Sequence, residues 1–286
     1  MLQWDMAARL PPVFLSHGSP LTALGGDPAS AFWHELGAAP ALRDAPPPAI
    51  VALSAHTRAA QVQVLAADRH QAVHDFSGFP SALYALRYDC AGAPGLARRV
   101  AALLSESGVV ATLSDAGGLD HGIWVPLRSI RPGADLPVLP IAFPAHWTPR
   151  QLFALGTALR PLVDEGHWIV ATGAITHNLR LGLPRPGVEE AELPECAAFR
   201  AWFAERAAAR DWAALWDYRR RAPYAEFMHP TDEHLLPWFI AAGAGGPCDF
   251  GVRIHASIEG SHLGMDAYAF GPQARCLADA LDGTAA

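Results

Sequence analysis

Short apolar runs alternate along the chain with longer stretches of helical period, the pattern of strands that feed crossover helices in a largely parallel sheet. The spacing predicts strands over 12–15, 50–54 (IVALS), 136–142 and 168–172 (WIVAT), each bounded by proline, glycine or polar residues. Helical periodicity predicts helices over 28–36, 95–107, 149–164 and 196–210, and another within 231–242, where Pro237 blurs the boundary. The segment 254–270 reads as late strands. Stretches at 44–48 (DAPPP) and 181–194 separate no halves of different composition or charge, so they read as surface loops, and no internal repeat is found. The expected fold class is α/β: a single domain over residues 1–286, with a central, largely parallel or mixed β-sheet flanked by helices.

Composition narrows the chemistry. The chain has 286 residues, 51% of them hydrophobic and 17% charged, which suits a compact protein and not a disordered one. Its 21 basic residues against 28 acidic ones give a net charge of −7, and every basic residue is arginine. Without lysine there is no Walker A loop, Schiff base or pyridoxal phosphate site. Scattered arginines on an acidic chain offer no basic stripe, so no nucleic-acid partner is expected, and the run Arg219, Arg220, Arg221 reads as a solvated face. Cys90, Cys196, Cys248 and Cys276 form no CxxC pair, which fits reduced thiols in a cytoplasmic protein. The N-terminal stretch carries Asp5, and the longest apolar tract, 235–247, falls short of the ~20 residues of a membrane span; no signal peptide, anchor or membrane partner is expected.

The histidines carry the functional signal. His17 follows the first predicted strand (FLSHGSP), His56 the second (VALSAHT) and His177 a later one (VATGAITHNL). In open parallel sheets ligands bind beyond the carboxyl ends of the strands, so three imidazoles from distant segments can meet in one crevice there. Imidazole suits zinc and iron, and three protein ligands with open positions are what metal-centred catalysis requires. His234 (HPTDEHLLPW) lies near the start of a predicted helix and is expected to project from its first turn. His121 (GGLDHGIWVPL) follows a glycine turn and precedes an apolar helix. A lone histidine is more often structural than a ligand, and it is the shared position at strand ends that singles these out. His34, His70, His167, His229, His255 and His262 have no such context and read as structural or surface residues. No H-E-x-x-H, G-x-G-x-x-G or G-x-S-x-G occurs, and no nucleophile elbow surrounds Ser16 or Ser19.

LSHGSP, SAHT, HDFSGFP, GLDHGIWVPL, GAITHNLR, HPTDEHLLPW and MDAYAFG, in this order over about 14–271, resemble the class III extradiol ring-cleavage dioxygenases, in their LigB-like 4,5-DOPA dioxygenase branch. The resemblance implies that His17, His56 and His234 are metal ligands, and that His177 is an acid/base, or a fourth ligand when zinc is bound. It makes His121 a second active-site histidine. The protocatechuate branch places a glutamate at the third ligand, which draws attention to Glu233 beside His234. The resemblance further implies Fe(II) for activity, with Zn(II) able to occupy the same site, and a catecholic small molecule and O₂ as substrates in aromatic compound metabolism. Phe76, Phe79 and Trp124 are candidate walls for a flat ring. His74 and Asp75 read either as a pair supporting the site or as a capped turn, and Asp266 either as a group orienting a ligand histidine or as a turn or surface charge. Two other functions stay open at this point: a metal-binding interaction protein of the Memo-like kind, and a zinc hydrolase on the same fold.

Overall fold

The central strands are apolar along their whole length because both of their faces are covered, as parallel strands between two helical layers must be. The computed structural model describes residues 9–184, 190–246 and 251–283. Eight strands form one mixed sheet: β1 (Val13–Ser16), β2 (Ile50–Ser54), β3 (Val62–Leu65), β4 (Ala111–Ser114), β5 (Val138–Ala142), β6 (Trp168–Gly173), β7 (Val252–His255) and β8 (Ala267–Ala269), in the order β4-β3-β5-β2-β6-β1-β8-β7. The inner strands β5, β2, β6 and β1 run parallel. β3 pairs antiparallel with β5, and β8 and β7 close the other edge antiparallel.

Among the described residues seven longer helices cover the sheet: α1 (Pro28–Ala38), α2 (Pro94–Glu106), α3 (His121–Ile130), α4 (Pro149–Asp164), α5 (Pro194–Ala209), α6 (Leu236–Gly245) and α7 (Ala274–Asp282). Alternation along the strands divides the core in two. Phe14, Val51, Leu53 and Ile169 pack on one face with α2, α4, α5 and α6. Val13, Leu15, Ile50, Ala52 and Val170 pack on the other with α1, α3 and α7. The fold is therefore a single α/β domain of the expected class.

The expected central strands and long helices are present, most within a residue or two of the expected bounds. Strands β3 (VQVL) and β4 (ATLS) escaped the sequence reading because they are short, partly polar and lie at or next to the sheet edge. Helix α6 begins at Leu236, with Pro237 in its first turn, where a missing N–H costs nothing. His234 thus sits on the turn before the helix and does not project from the helix itself. The arginine run is only partly a solvated face: Arg219 is half-buried, pairs with Asp232 and donates to the His229 carbonyl at 3.0 Å. Asp266 is neither an orienting group for a histidine nor a surface charge. It is fully buried and bonded by Arg200 at 2.6 Å, because a carboxylate in the core needs a cation that also supplies hydrogen bonds. Among the described residues no helix is long and apolar enough to cross a membrane. Cys248 and Asp5 lie outside the described residues, as does part of the 181–194 loop.

Candidate metal centre

Neighbouring parallel strands deliver three histidines to one place. His17 directly follows β1, His56 lies two residues beyond β2, and His177 lies four beyond β6; these strands are adjacent in the order β2-β6-β1. His234 joins them through its backbone: its carbonyl accepts from Ala174 N at 2.8 Å. That approach depends on Gly173 at the end of β6, where a Cβ would fall 2.0 Å from the His234 carbonyl oxygen. His121 opens α3, which brings its ring centroid 4.1 Å from that of His56 and 5.3 Å from that of His17. All five predicted histidines are therefore in one cluster.

His56 is its hub. Its Nε2 lies 3.1 Å from His17 Nε2 and 3.3 Å from His234 Nε2. Ligand atoms of His17, His56 and His121 lie within 4.8 Å of one another, as do those of His177, Glu233 and His234, so the expected triad spans two groups that meet at the His56–His234 contact. The His177 ring stacks on His234 with centroids 3.4 Å apart and planes 10° from parallel.

The electrostatics favour neutral rings. Burial, followed by the neighbouring imidazoles, drives His17 and His234 well below the usual histidine value. Burial lowers His56 to about 3 and His177 to about 4. Neutral imidazole is the ligating form.

Carboxylates fix two of the rings from behind. Asp75 Oδ1 accepts from His121 Nδ1 at 2.9 Å and from its backbone N–H at 3.0 Å. Burial pulls the Asp75 carboxyl up, but the bonds from His121 outweigh it and hold the carboxyl below its usual range. Asp75 therefore supports the site and is more than a capped turn. Glu233 Oε1 lies 3.2 Å from His234 Nδ1 and accepts from Thr231 Oγ1 at 2.9 Å. A carboxylate on Nδ1 leaves the Nε2 lone pair free toward the cluster.

These residues suit a divalent ion. Tetrahedral zinc with Zn–N bonds of about 2.0–2.1 Å would set its nitrogens about 3.3 Å apart, and the two Nε2 contacts of His56 have that spacing. Residues 12–271 match the family described as the catalytic LigB subunit of aromatic ring-opening dioxygenase. The chain belongs to this family. It is similar to the 4,5-DOPA dioxygenase extradiol of Beta vulgaris, with 34% identity over 262 residues covering 90% of this chain and 95% of that one. The protein of the same name from Escherichia coli (strain K12) is 32% identical over 268 residues, 90% of this chain and 92% of that one. The crystal structure of an uncharacterized protein from Escherichia coli K12 superposes with a TM-score of 0.74 at 28% identity, covering 92% of this chain and all of that chain.

In this LigB family member an aromatic cluster flanks His121. The Phe76 ring lies 5.8 Å from His121 and 5.3 Å from Phe79, and both phenylalanines are partly exposed. Trp124 differs from the expectation: it is fully buried, donates from Nε1 to the Val73 carbonyl at 3.0 Å, and backs Phe76 and His74 without offering a surface of its own. The sequence reading passed over Ser54, Thr57 and Asp120, which are hydrogen-bonded to one another directly beside His56 and His121. The only trace of them in the sequence is their adjacency to those histidines. Of the histidines read as structural, His229 is buried with Nε2 2.7 Å from the Ile175 carbonyl, in keeping with that reading.

Proposed function

We propose that the protein is a non-haem, metal-dependent extradiol dioxygenase that opens the ring of a catechol next to its two hydroxyls, with residues 1–286 acting as one catalytic domain. The observation that carries this reading is the convergence of the Nε2 atoms of His17 and His234 on His56 Nε2, at 3.1 and 3.3 Å. His17, His56 and His234 are the proposed ligands of Fe(II), with Zn(II) able to bind the same three and His177 within reach as a fourth. Ferrous iron held by these three histidines would supply open coordination sites at which a diol and O₂ could both bind.

The chain's own residues do the rest. His177, which burial keeps neutral, is the proposed acceptor of the catechol's proton. Asp75 holds the His121 ring through Nδ1, which fixes it beside His56 and His17, where His121 is the proposed second active-site histidine. Phe76 and Phe79 form one wall against a flat ring and exclude water beside His121. The free, buried thiols of Cys90 and Cys196 suit a reducing cytoplasm.

The test is O₂ consumption by iron-loaded protein with DOPA, caffeate, protocatechuate and unsubstituted catechol. The proposal expects uptake with a new near-visible product band for at least one of them, abolished by chelator. No turnover with any of the four refutes it.

A further inference from the structure

The segment that opens α3 carries a second device beside His121. Asp120 occupies the N-cap of α3, where an aspartate ordinarily accepts from a backbone N–H of the first turn. Here its side chain makes no such bond. Its carboxylate reaches across to the end of β2: Oδ1 accepts from Ser54 Oγ at 2.7 Å, and Oδ2 accepts from Thr57 Oγ1. Ser54 Oγ in turn accepts from the His56 backbone N–H at 3.2 Å. The hydroxyls held by Asp120 therefore bracket His56 in sequence, while the residue after Asp120 is His121. Gly122 completes the approach, since a Cβ there would lie 2.5 Å from Ser54 Oγ and 2.9 Å from the His17 ring.

We propose that Asp120 is a positioning residue, which forgoes capping α3 in order to lock the loop of His56 against the first turn of α3 and so hold His56 Nε2 at the point it shares with His17 and His234. The proposal rests on the reading of those three histidines as the metal ligands. A carboxylate is suited to the task because it accepts from both hydroxyls at once, and its burial, with 8% of Asp120 exposed, keeps water from competing for them. Partners that act behind a ligand typically change metal affinity or activity by about 10–100-fold when removed.

The test compares unmodified protein with Asp120→Ala and Thr57→Val, the second keeping side-chain shape while removing one hydroxyl. Cobalt(II) is the probe. Its affinity is read by chelator competition, its geometry by the visible d–d bands, and the stability of the metal-free protein by urea unfolding. The expected result is cobalt binding weakened about 10-fold by Thr57→Val and up to about 100-fold by Asp120→Ala, with altered d–d bands in both and no matching loss of metal-free stability in Thr57→Val. Unchanged affinity and bands in Thr57→Val overturn the positioning role even if Asp120→Ala does not fold. Failure of the unmodified protein to bind cobalt overturns the ligand reading itself, a different outcome that the control reports separately.

Discussion

Several imidazoles packed into one buried cluster are expected to make the metal-free protein less stable as pH falls. Burial holds His56 at about 3 and His177 at about 4 in the folded chain, whereas an unfolded histidine titrates near about 6.5. Because the folded values are depressed, the contribution of each ring is present in full above the unfolded value and is lost as pH falls toward the folded one: the unfolded chain takes up protons that the folded chain refuses. Between about pH 7 and about pH 4.5 this linkage removes about 2–3 kcal/mol per ring, or about 5 kcal/mol for the two. His17 and His234, also driven well below the usual value, act in the same direction. A loss of this size is comparable with the entire stability of many domains, about 5–15 kcal/mol. The assay is urea unfolding of chelator-treated protein at the two pH values, followed by tryptophan fluorescence, with His177→Gln in parallel. The expected result is a large fall in the unfolding free energy at the lower pH, and a fall about 2–3 kcal/mol smaller in the variant, which lacks one of the rings. Equal stability at both pH values, or an identical pH dependence in His177→Gln, refutes the reasoning.

Asp75→Asn removes the carboxylate from His121 Nδ1 and is expected to lower kcat about 10–100-fold with little change in KM, as measured by steady-state O₂ uptake. Phe76→Leu removes the ring beside His121 and is expected to raise KM for catechols more than it lowers kcat, in the same assay. Asp266→Ala leaves the guanidinium of Arg200, whose side chain is 10% exposed, without its buried partner; urea unfolding is expected to show a loss of about 3–5 kcal/mol.

The sheet and the histidines were legible for one physical reason. Strands such as Ile50–Ser54 and Trp168–Gly173 are covered on both faces, so they stand out as continuous apolar runs, and a histidine just past such a run is already placed at the carboxyl edge of the sheet. What escaped depends on long-range pairing. Val62–Leu65 and Ala111–Ser114 become strands because β5 and each other offer backbone partners, a fact absent from their own composition. Asp266 gave no local sign that Arg200, 66 positions away, would neutralise it. Nothing in the stretch around Asp120 signals its bonds to Ser54 and Thr57, which lie more than sixty positions away, and Trp124 reads as a pocket wall until its indole is seen to be enclosed.

Whether three histidines hold an iron that opens a catechol ring is tested most directly by a single turnover. Protein loaded with Fe(II) is mixed with a catechol without oxygen, ¹⁸O₂ is then admitted, and the product is analysed by mass spectrometry beside His17→Ala, His56→Ala and His234→Ala. A ring-opened product carrying the label is expected from the unmodified protein, and neither bound iron nor product from the three variants. Unlabelled or unopened catechol from the iron-loaded protein, or undiminished turnover in the variants, would contradict it.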